Sequence, residues 1–320
     1  MSAGWQERPE RGSKLGMRIT VACYRWLGRR LARLLVLPIV AYFFVTDAAG
    51  RRASLAYLRR VFATPEGARA LGVQPGRRHV FRHYLEFGLA ILDRVGFWLG
   101  DPGSFELRVH GGEELERVRR EKRGALVLGS HLGSFDAMRL LAALHSPITV
   151  HVLMYTRHAT RINGIFEELR ALRPRDPHVR VIQIEPGGVT HALEARACVE
   201  RGEVVAVLAD RVPPGEAHRV ARVRFLGGTV ELPQGPFLLA GLLGCPVLLM
   251  VGLRRGPQAY EVHVERLSDG MDLPRDRRAE GVNEQCQAFA DRVATWCLRA
   301  PYQWFNFHDV WKEGDAGVRP

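Results

Sequence analysis

The chain is predicted to be an α/β protein: a mostly parallel sheet with helices on both faces, preceded by a helical N-terminal region. Three observations predict it. From residue 105 onward, short strand-like runs alternate with helical patterns, the signature of a sheet built from strand–helix units. Several of those runs, ALVL at 125–128 and VVAVL at 204–208 among them, are apolar throughout, as strands covered on both faces are. Before residue 105 the apolar residues recur instead at helical spacing.

The elements follow in order. Residues 1–15 are polar and expected to fray. Residues 16–62 read as helices: a basic stretch, an apolar run, and SLAYLRRVFA after Asp47–Gly50. Residues 76–99 carry Val80, Tyr84, Phe87, Ile91, Val95 and Trp98 at steps of three and four, which predicts an apolar helical stripe. Asp101–Gly103 breaks that pattern, so a helical region 1–104 is set apart from an α/β domain 105–320. Within the second part, Phe105–His110 reads as a strand, Glu113–Arg120 as a helix, Ala125–Leu128 as a strand and Ser134–Leu144 as a helix. Ile148–Met154 and Val179–Ile184 read as strands, Val189–Arg201 as a helix, and Val204–Leu208 and Val220–Phe225 as strands. Gln234–Leu243 reads as a helix, Pro246–Leu253 and Tyr260–Leu267 as strands, and Ala279–Leu298 as a long helix.

Composition narrows the function. The 320 residues carry 46 Lys+Arg against 34 Asp+Glu, a formal net charge of +12. Residues 1–100 hold 17 basic and 6 acidic side chains, so nearly all of the excess lies in the first third. With 47% apolar and 25% charged residues the chain is neither disordered nor a disulfide scaffold. Charge confined to one end argues against a nucleic-acid partner and for something anionic met by that end alone. The five cysteines, Cys23, Cys198, Cys245, Cys286 and Cys297, are odd in number and widely spaced, with no CxxC. That pattern fits a reducing compartment and structural thiols, with Cys245 and Cys297 as small core hydrophobes.

The basic third surrounds an apolar run, Leu34–Val45, of 12 residues. A spanning helix needs about 20. Arg25, Arg29, Arg30 and Arg33 precede the run, and Arg51, Arg52, Arg59 and Arg60 follow it. Charge on both sides disfavours crossing, and Pro38 permits a kink. The expected arrangement lies in the headgroup layer, with Tyr42, Phe43 and Phe44 buried and the guanidiniums on lipid phosphates. A buried core helix beside a solvated basic segment is the other reading; it gives less reason for eight arginines around one run.

In an α/β sheet the site lies past the carboxyl ends of the strands. In GALVLGSHLGSFDAMRLL, residues 124–141, the strand ends at Leu128, Gly129–Ser130 turns, His131 follows, and Asp136 falls in the first turn of the next helix. Asp136 can accept the Nδ1 proton of His131, leaving Nε2 as a base; the other reading is an Asp that meets its own helix N-terminus and a His that is only a loop residue. Gly129 and Gly133 leave room for a substrate beside the backbone. Asp210 and Arg211 end a second strand, and Tyr155 and Arg157 lie just past a third, so a shared cleft is plausible. The chain has no GxSxG elbow, no Walker A loop and no GxGxxG. It has no HExxH, and His79–His83 lacks a third ligand and reads as a surface pair, so no metal is expected.

HLGSFDAMR after an apolar strand resembles the His-x4-Asp/Glu block of glycerolipid and lysophospholipid acyltransferases, and most of all the bacterial lipid A biosynthesis (late lauroyl/myristoyl) branch. The arginine-flanked N-terminal run, Tyr155–Arg157, LADR at 208–211, FLGG at 225–228 and LPQGPFLLA at 232–240 fall in the order of that branch and cover most of residues 17–311. The resemblance implies a glycerolipid acyltransferase-like fold. It implies a transferase on the cytoplasmic face of a bacterial inner membrane, held by one anchor or lying on the surface. The acyl group would pass from acyl carrier protein or coenzyme A, as co-substrate, to a hydroxyl of a lipid; no cofactor is implied. By position, His131 would be the general base and Asp136 its orienting carboxylate. Gly133, Ser134, Phe135, Tyr155, Arg157, Asp210 and Arg211 would bind the acceptor, with Arg157 or Arg211 on a phosphate or the oxyanion. That branch commonly has Glu where this chain has Asp136, and Asp-Gln where it has Asp210–Arg211. The ending PYQWFNFHDVW, residues 301–311, is similar to a subgroup associated with other acylated envelope lipids, aryl-polyene lipids included. Taken alone, Trp304, Phe305, Phe307 and Trp311 read as an aromatic clamp on the core.

Overall fold

The apolar runs become strands. In the computed structural model, which describes residues 14–99, 105–138, 148–155, 179–184, 188–213 and 215–311, the strands are β1 (Glu106–His110), β2 (Ala125–Gly129), β3 (Val150–Met154), β4 (Val179–Gln183), β5 (Val204–Leu208), β6 (Val220–Phe225), β7 (Gly228–Pro233), β8 (Val247–Arg254) and β9 (Ala259–Ser268). Seven form one sheet in the order β1-β9-β8-β2-β5-β3-β4. β8, β2, β5, β3 and β4 run parallel, while β9 is antiparallel to β8 and β1 parallel to β9. Leu126 and Leu128 join the apolar cluster on one face, and Ala125 and Val127 join a second cluster on the other. Burial on both faces is why these strands carry unbroken apolar sequence.

The helices are α1 (Lys14–Thr46), α2 (Ala48–Phe62), α3 (Pro65–Leu71), α4 (Arg77–Leu99), α5 (Gly112–Glu121), α6 (Thr190–Glu200), α7 (Gly235–Leu243) and α8 (Arg278–Arg299). A further helix is under way from Phe135. Two elements escape the sequence reading. For α3 a signal was there: Thr64 accepts from the Gly67 amide and Pro65 opens the helix, a start signature. For β7 the signal is weak, because the hairpin turn places Leu226 (φ 46) and Gly227 (φ 75) in the left-handed region. Leucine is uncommon there, so Leu-Gly does not read as a hairpin turn.

α4 departs from its expected stripe. Val80, Tyr84 and Val95 are buried, but Phe87 is 38% exposed and Ile91 half-buried, and His83, Leu89, Leu92 and Asp93 are buried in addition. The reason is that α4 has neighbours on more than one side. α1 passes so close that a Cβ on Gly88 would meet Val40 Cγ2 at 2.6 Å. Asp93, 1% exposed, takes Arg29 of α1 at 2.6 Å, Arg254 of β8 at 3.1 Å and the Tyr260 hydroxyl of β9 at 2.8 Å. One buried carboxylate thus ties α1 and α4 to the sheet, and it is tolerated because three donors compensate it.

His83 is not on the surface: it is fully buried. Its Nε2 donates to the Trp304 carbonyl at 2.9 Å and its Nδ1 accepts from Ser54 Oγ at 2.8 Å. His79 Nδ1 instead accepts from the Gly76 amide at 3.1 Å. His83 therefore pins α2 and α4 to the C-terminal segment. That segment lies antiparallel against the turn after β2: Gly133 N donates to Gln303 O at 2.8 Å and Phe305 N to His131 O at 2.7 Å. Gln303 seals the other side, its side-chain amide donating to and accepting from the Arg254 backbone, both at 2.8 Å. Trp311 Nε1 donates to Phe225 O at 3.1 Å, so the aromatic clamp expected of this ending is present.

Gly133 closes the arrangement. It has φ +73, and a Cβ there would lie 2.1 Å from Gly252 O, inside the β8 backbone. Gly133→Ala is expected to lower stability by more than about 2 kcal/mol, since it combines left-handed strain with a backbone clash. Gly129→Ala, whose Cβ would meet only Leu208 Cδ2 at 3.0 Å, is expected to cost clearly less. Thermal midpoints of the two variants check this.

Burial holds the His83 pKa down to about 4, against the hydrogen bond to Trp304 O, which raises it. A folded pKa below the unfolded value near 6.5 favours the native state above that value, and the advantage is lost as pH falls toward 4. Urea unfolding is expected to lose roughly 2–3 kcal/mol of stability from this group between pH 7 and 4.5. His83→Gln, which can donate to Trp304 and accept from Ser54, is expected to flatten that slope.

Candidate active site

β2 and β5 lie side by side in register, Gly129 opposite Leu208. Two residues beyond each lie His131 and Asp210, so equal steps off two parallel strands bring them together. Asp210 Oδ1 meets His131 Nδ1 at 2.7 Å, and Asp210 Oδ2 accepts from the His131 backbone amide at 2.7 Å. The carboxylate can only accept, so Nδ1 carries the proton. His131 Nε2 takes no hydrogen bond from the described residues, and the side chain is 25% exposed.

This corrects the expected dyad. The carboxylate on Nδ1 is Asp210, 79 residues away. Asp136 is buried and forms an ion pair with Arg94 of α4 at 2.9 Å. The physical reason is the strand register, which delivers Asp210 at the same height as His131, while Asp136 is carried into its own helix and faces α4.

The rest of the expected constellation divides. Asp210 is buried and Arg211 partly so. Arg211 Nε donates to Asn306 Oδ1 at 2.7 Å and its Nη2 to the Phe305 carbonyl at 2.9 Å. Tyr155 follows β3, which pairs with β5, and leaves the sheet at the same edge, half-buried. Gly133 and Ser134 give their amides to Gln303 O and Gly252 O. The Ser134 hydroxyl accepts from Ala137 N at 3.3 Å, a cap on the helix that carries Asp136. Phe135 packs on the second apolar cluster. Arg157 lies outside the described residues.

The sequence reading missed Asn306, Gln303 and His83. Asn306 is 1% exposed, and its Nδ2 donates to Asp210 Oδ2 at 3.2 Å. The available signal was a lone amide within an aromatic run, WFNF, since a buried amide requires partners.

The electrostatics follow from burial and pairing. Burial would raise the Asp210 carboxyl, but the His131 ring and amide and Arg211 outweigh it and bring it down to about 2. Burial, then Arg211, lower the His131 pKa, and Asp210 pulls it back up. Burial brings Arg211 down to about 10. At neutral pH the site therefore holds an ionised carboxylate, a charged guanidinium and a neutral imidazole with Nε2 available. That arrangement takes a proton from a weak acid such as an alcohol.

Two groups of side chains among the described residues have metal-ligand character, His110–Glu261–His263 and His151–Cys198–Glu203. In each, an arginine already holds the carboxylate: Arg255 on Glu261 at 2.7 Å and Arg201 on Glu203 at 2.6 Å. Cys198, Cys245, Cys286 and Cys297 are free and buried.

No curated protein matches the chain closely enough to be counted as a relative. A family profile described as bacterial lipid A biosynthesis acyltransferase matches residues 14–313, nearly its whole length, and the chain belongs to that family.

Proposed function

We propose that the chain moves a fatty acyl group from an acyl thioester, on acyl carrier protein or coenzyme A, to a hydroxyl of a lipid or glycolipid, working at the cytoplasmic face of a bacterial inner membrane. Membership of a lipid acyltransferase family supports the reaction class. The observation that carries the mechanism is the 2.7 Å contact of Asp210 with His131 Nδ1.

The chemistry is direct transfer. His131 Nε2 takes the proton as the acceptor oxygen attacks the thioester carbonyl. Asp210 stabilises the imidazolium that forms, just as it fixes the tautomer beforehand. The tetrahedral intermediate collapses, the C–S bond breaks, and the imidazolium returns its proton to the departing sulfur. The ester C–O bond is made as the thioester is lost, and no acyl-enzyme is required. Asp136, through Arg94, positions the helix that follows His131. Hydroxylated envelope lipids other than lipid A are candidate acceptors, in keeping with the WFNF ending.

The membrane reading rests on α1. Beyond a non-helical break at Gly28, Leu34 (61%), Tyr42 (62%) and Val45 (71%) are exposed, while Ala32, Val36 and Val40 are buried; Trp26 (80%) is exposed before the break. An exposed apolar arc on a helix suits the headgroup layer. Among the described residues no single helix is long and apolar enough to cross a membrane, although Gly28–Thr46 and Ala48–Phe62, bent by 94°, pass the length test together. Two expectations change. Phe43 and Phe44 pack against the protein core, leaving Tyr42 to the lipid. Arg29 is used on Asp93, Arg51 on the Phe44 and Val45 carbonyls, and Arg60 on the Trp311 ring. Arg25, Arg30 and Arg52 are the exposed guanidiniums for lipid phosphates.

Purified His131→Ala is expected to lose transfer from an acyl thioester to a lipid hydroxyl by at least about 10²-fold, with folding and vesicle binding intact. Full activity in that variant would overturn the mechanism. A folded wild-type chain that binds vesicles but transfers to no lipid acceptor would be a lipid-binding protein on the same fold.

The pH profile separates the two carboxylates. Transfer needs neutral His131, so the rate should fall as pH drops through its lowered pKa, below 6.5. Asp210→Asn removes the influence that raises this pKa, so the acid limb should move to lower pH while the maximal rate falls. Asp136→Asn should leave the limb in place.

Flotation with anionic vesicles is expected to fail for the double variant Leu34→Asp/Val45→Asp. Arg25→Gln/Arg30→Gln/Arg52→Gln should weaken flotation most at low salt.

A further inference from the structure

We propose that Asn306 is a positioning residue for this reaction: its amide stands between Asp210 and Arg211 and keeps the Asp210 carboxylate committed to His131. The geometry carries it. Asp210 and Arg211 are sequence neighbours of opposite charge inside one partly buried site. Left alone, such a pair closes into a direct ion pair, which in a poorly solvated place is strong and often bidentate. Here Asn306 Oδ1 accepts from Arg211 Nε at 2.7 Å while its Nδ2 donates to Asp210 Oδ2 at 3.2 Å. The Phe305 carbonyl takes Arg211 Nη2 at 2.9 Å.

One side chain thus serves a group that only donates and a group that only accepts. An amide does this at both ends at once; a carboxylate or an aliphatic side chain cannot. Asn306 is 1% exposed, so both bonds are made inside the protein. The three acceptor sites in use on Asp210 then go to the His131 ring, the His131 amide and Asn306.

The consequence concerns the base. Arg211 depresses the basicity of His131 and Asp210 restores it. If Arg211 closed on Asp210, the carboxylate would be shared and the restoring influence weakened. Among the described residues, four other ionisable groups near the pair are neutral or paired. Cys297 and Tyr57 are buried and held protonated, their pKa values raised by desolvation. His83 is neutral, its pKa brought down to about 4 by burial. Asp136 is paired with Arg94.

The inference rests on the acyl-transfer reading for its meaning, but its test does not. Full-length protein with ¹⁵N-labelled histidine, in detergent micelles, is titrated by NMR, with His131 assigned by its loss in His131→Asn. Asn306→Gln keeps an amide able to donate to Asp210 and accept from Arg211, so the folded Gln variant should hold the His131 midpoint nearer the wild-type value than Asn306→Ala does. Asn306→Ala removes the amide that stands between Arg211 and Asp210 and lets the guanidinium approach the carboxylate, so the midpoint should fall. The same Ala variant should lose about 10-fold or more in kcat on an acyl-CoA donor with KM little changed. A purely structural role would lower the yield or thermal midpoint of both variants while leaving the His131 titration where it is. An unmoved midpoint in folded Asn306→Ala would overturn the proposal, as would a rise. Wild-type protein that transfers no acyl group would sink the reading of function and leave the titration result standing.

Discussion

Gly129 faces Leu208 across two parallel strands, and the functional part of the molecule depends on that register. A slip of one residue would turn every side chain of β2 to the other face of the sheet. It would also take His131 out of step with Asp210. The slip is prevented because both faces are buried. Leu126, Leu128, Val205 and Val207 belong to one apolar cluster and Val127, Val204 and Ala206 to the other, so a shifted strand would find no matching partners. The first bond past the strands, Ala209 N to Gly129 O at 2.9 Å, carries the register into the turns where the chemistry sits.

A site built on loops still has to be held rigidly enough to react, and here the constraint comes from the opposite end of the chain. Residues 303–305 are bonded to 131–133 as a short antiparallel strand would be. Those residues are held in turn by His83 on Trp304 and by Gln303 on the Arg254 backbone. The His83 ring and the Gln303 amide are buried, polar and partnered at both ends, while the Trp304 indole Nε1 in the same segment is buried with no partner among the described residues. Left unpartnered, His83 or Gln303 would cost more than its bonds contribute. The ring of partners is therefore both the reason the segment can be buried and the reason it has one position. The same logic explains a base that stays neutral beside an ionised acid: burial opposes charge on His131, and the two amides on Asp210 Oδ2 stabilise charge there.

The strands and long helices were legible because their signals are local. Unbroken apolar runs mark β2, β5 and β8, and three- and four-residue spacing marks α4. The sheet edge that bears the site followed from the strand–helix alternation. The partner of His131 did not follow, since two carboxylates lay at strand ends and sequence separation favoured the nearer. Choosing Asp210 needs the knowledge that β2 and β5 are neighbours in register, which no local pattern contains. His83 was hidden for a related reason. On α4 it sits beside arginines at 77, 78 and 82, and only the arrival of Trp304, 221 residues later, makes that position interior. The Asn306 amide could have been suspected from its aromatic neighbours, but both of its partners come from another strand end.

The basic first third can be divided by the same physical test, whether each guanidinium has a partner in the protein. Arg29 meets the Asp93 carboxylate, Arg51 caps the carbonyls at the end of α1, Arg60 lies 4.7 Å from the Trp311 ring centroid, and Arg94 meets Asp136. These charges are internal fasteners, and their loss would be felt as lost packing. α1 also exposes large apolar side chains over the arc from Leu34 to Val45, with exposed arginines at its flanks. An apolar arc of that kind is costly in water and favourable in a headgroup layer. The fasteners and the arc meet on one helix: α1 holds Asp93 through Arg29 on one side and presents Leu34, Tyr42 and Val45 on the other. Asp93 is followed directly by Arg94, which holds the helix that starts beside His131. The path from α1 to the helix after His131 therefore runs through two ion pairs whose carboxylates are buried. On the proposed function, the acceptor lies in a membrane and the base must be held at a fixed place relative to that surface, which the pairing of α1 with α4 through Arg29 and Asp93 suits.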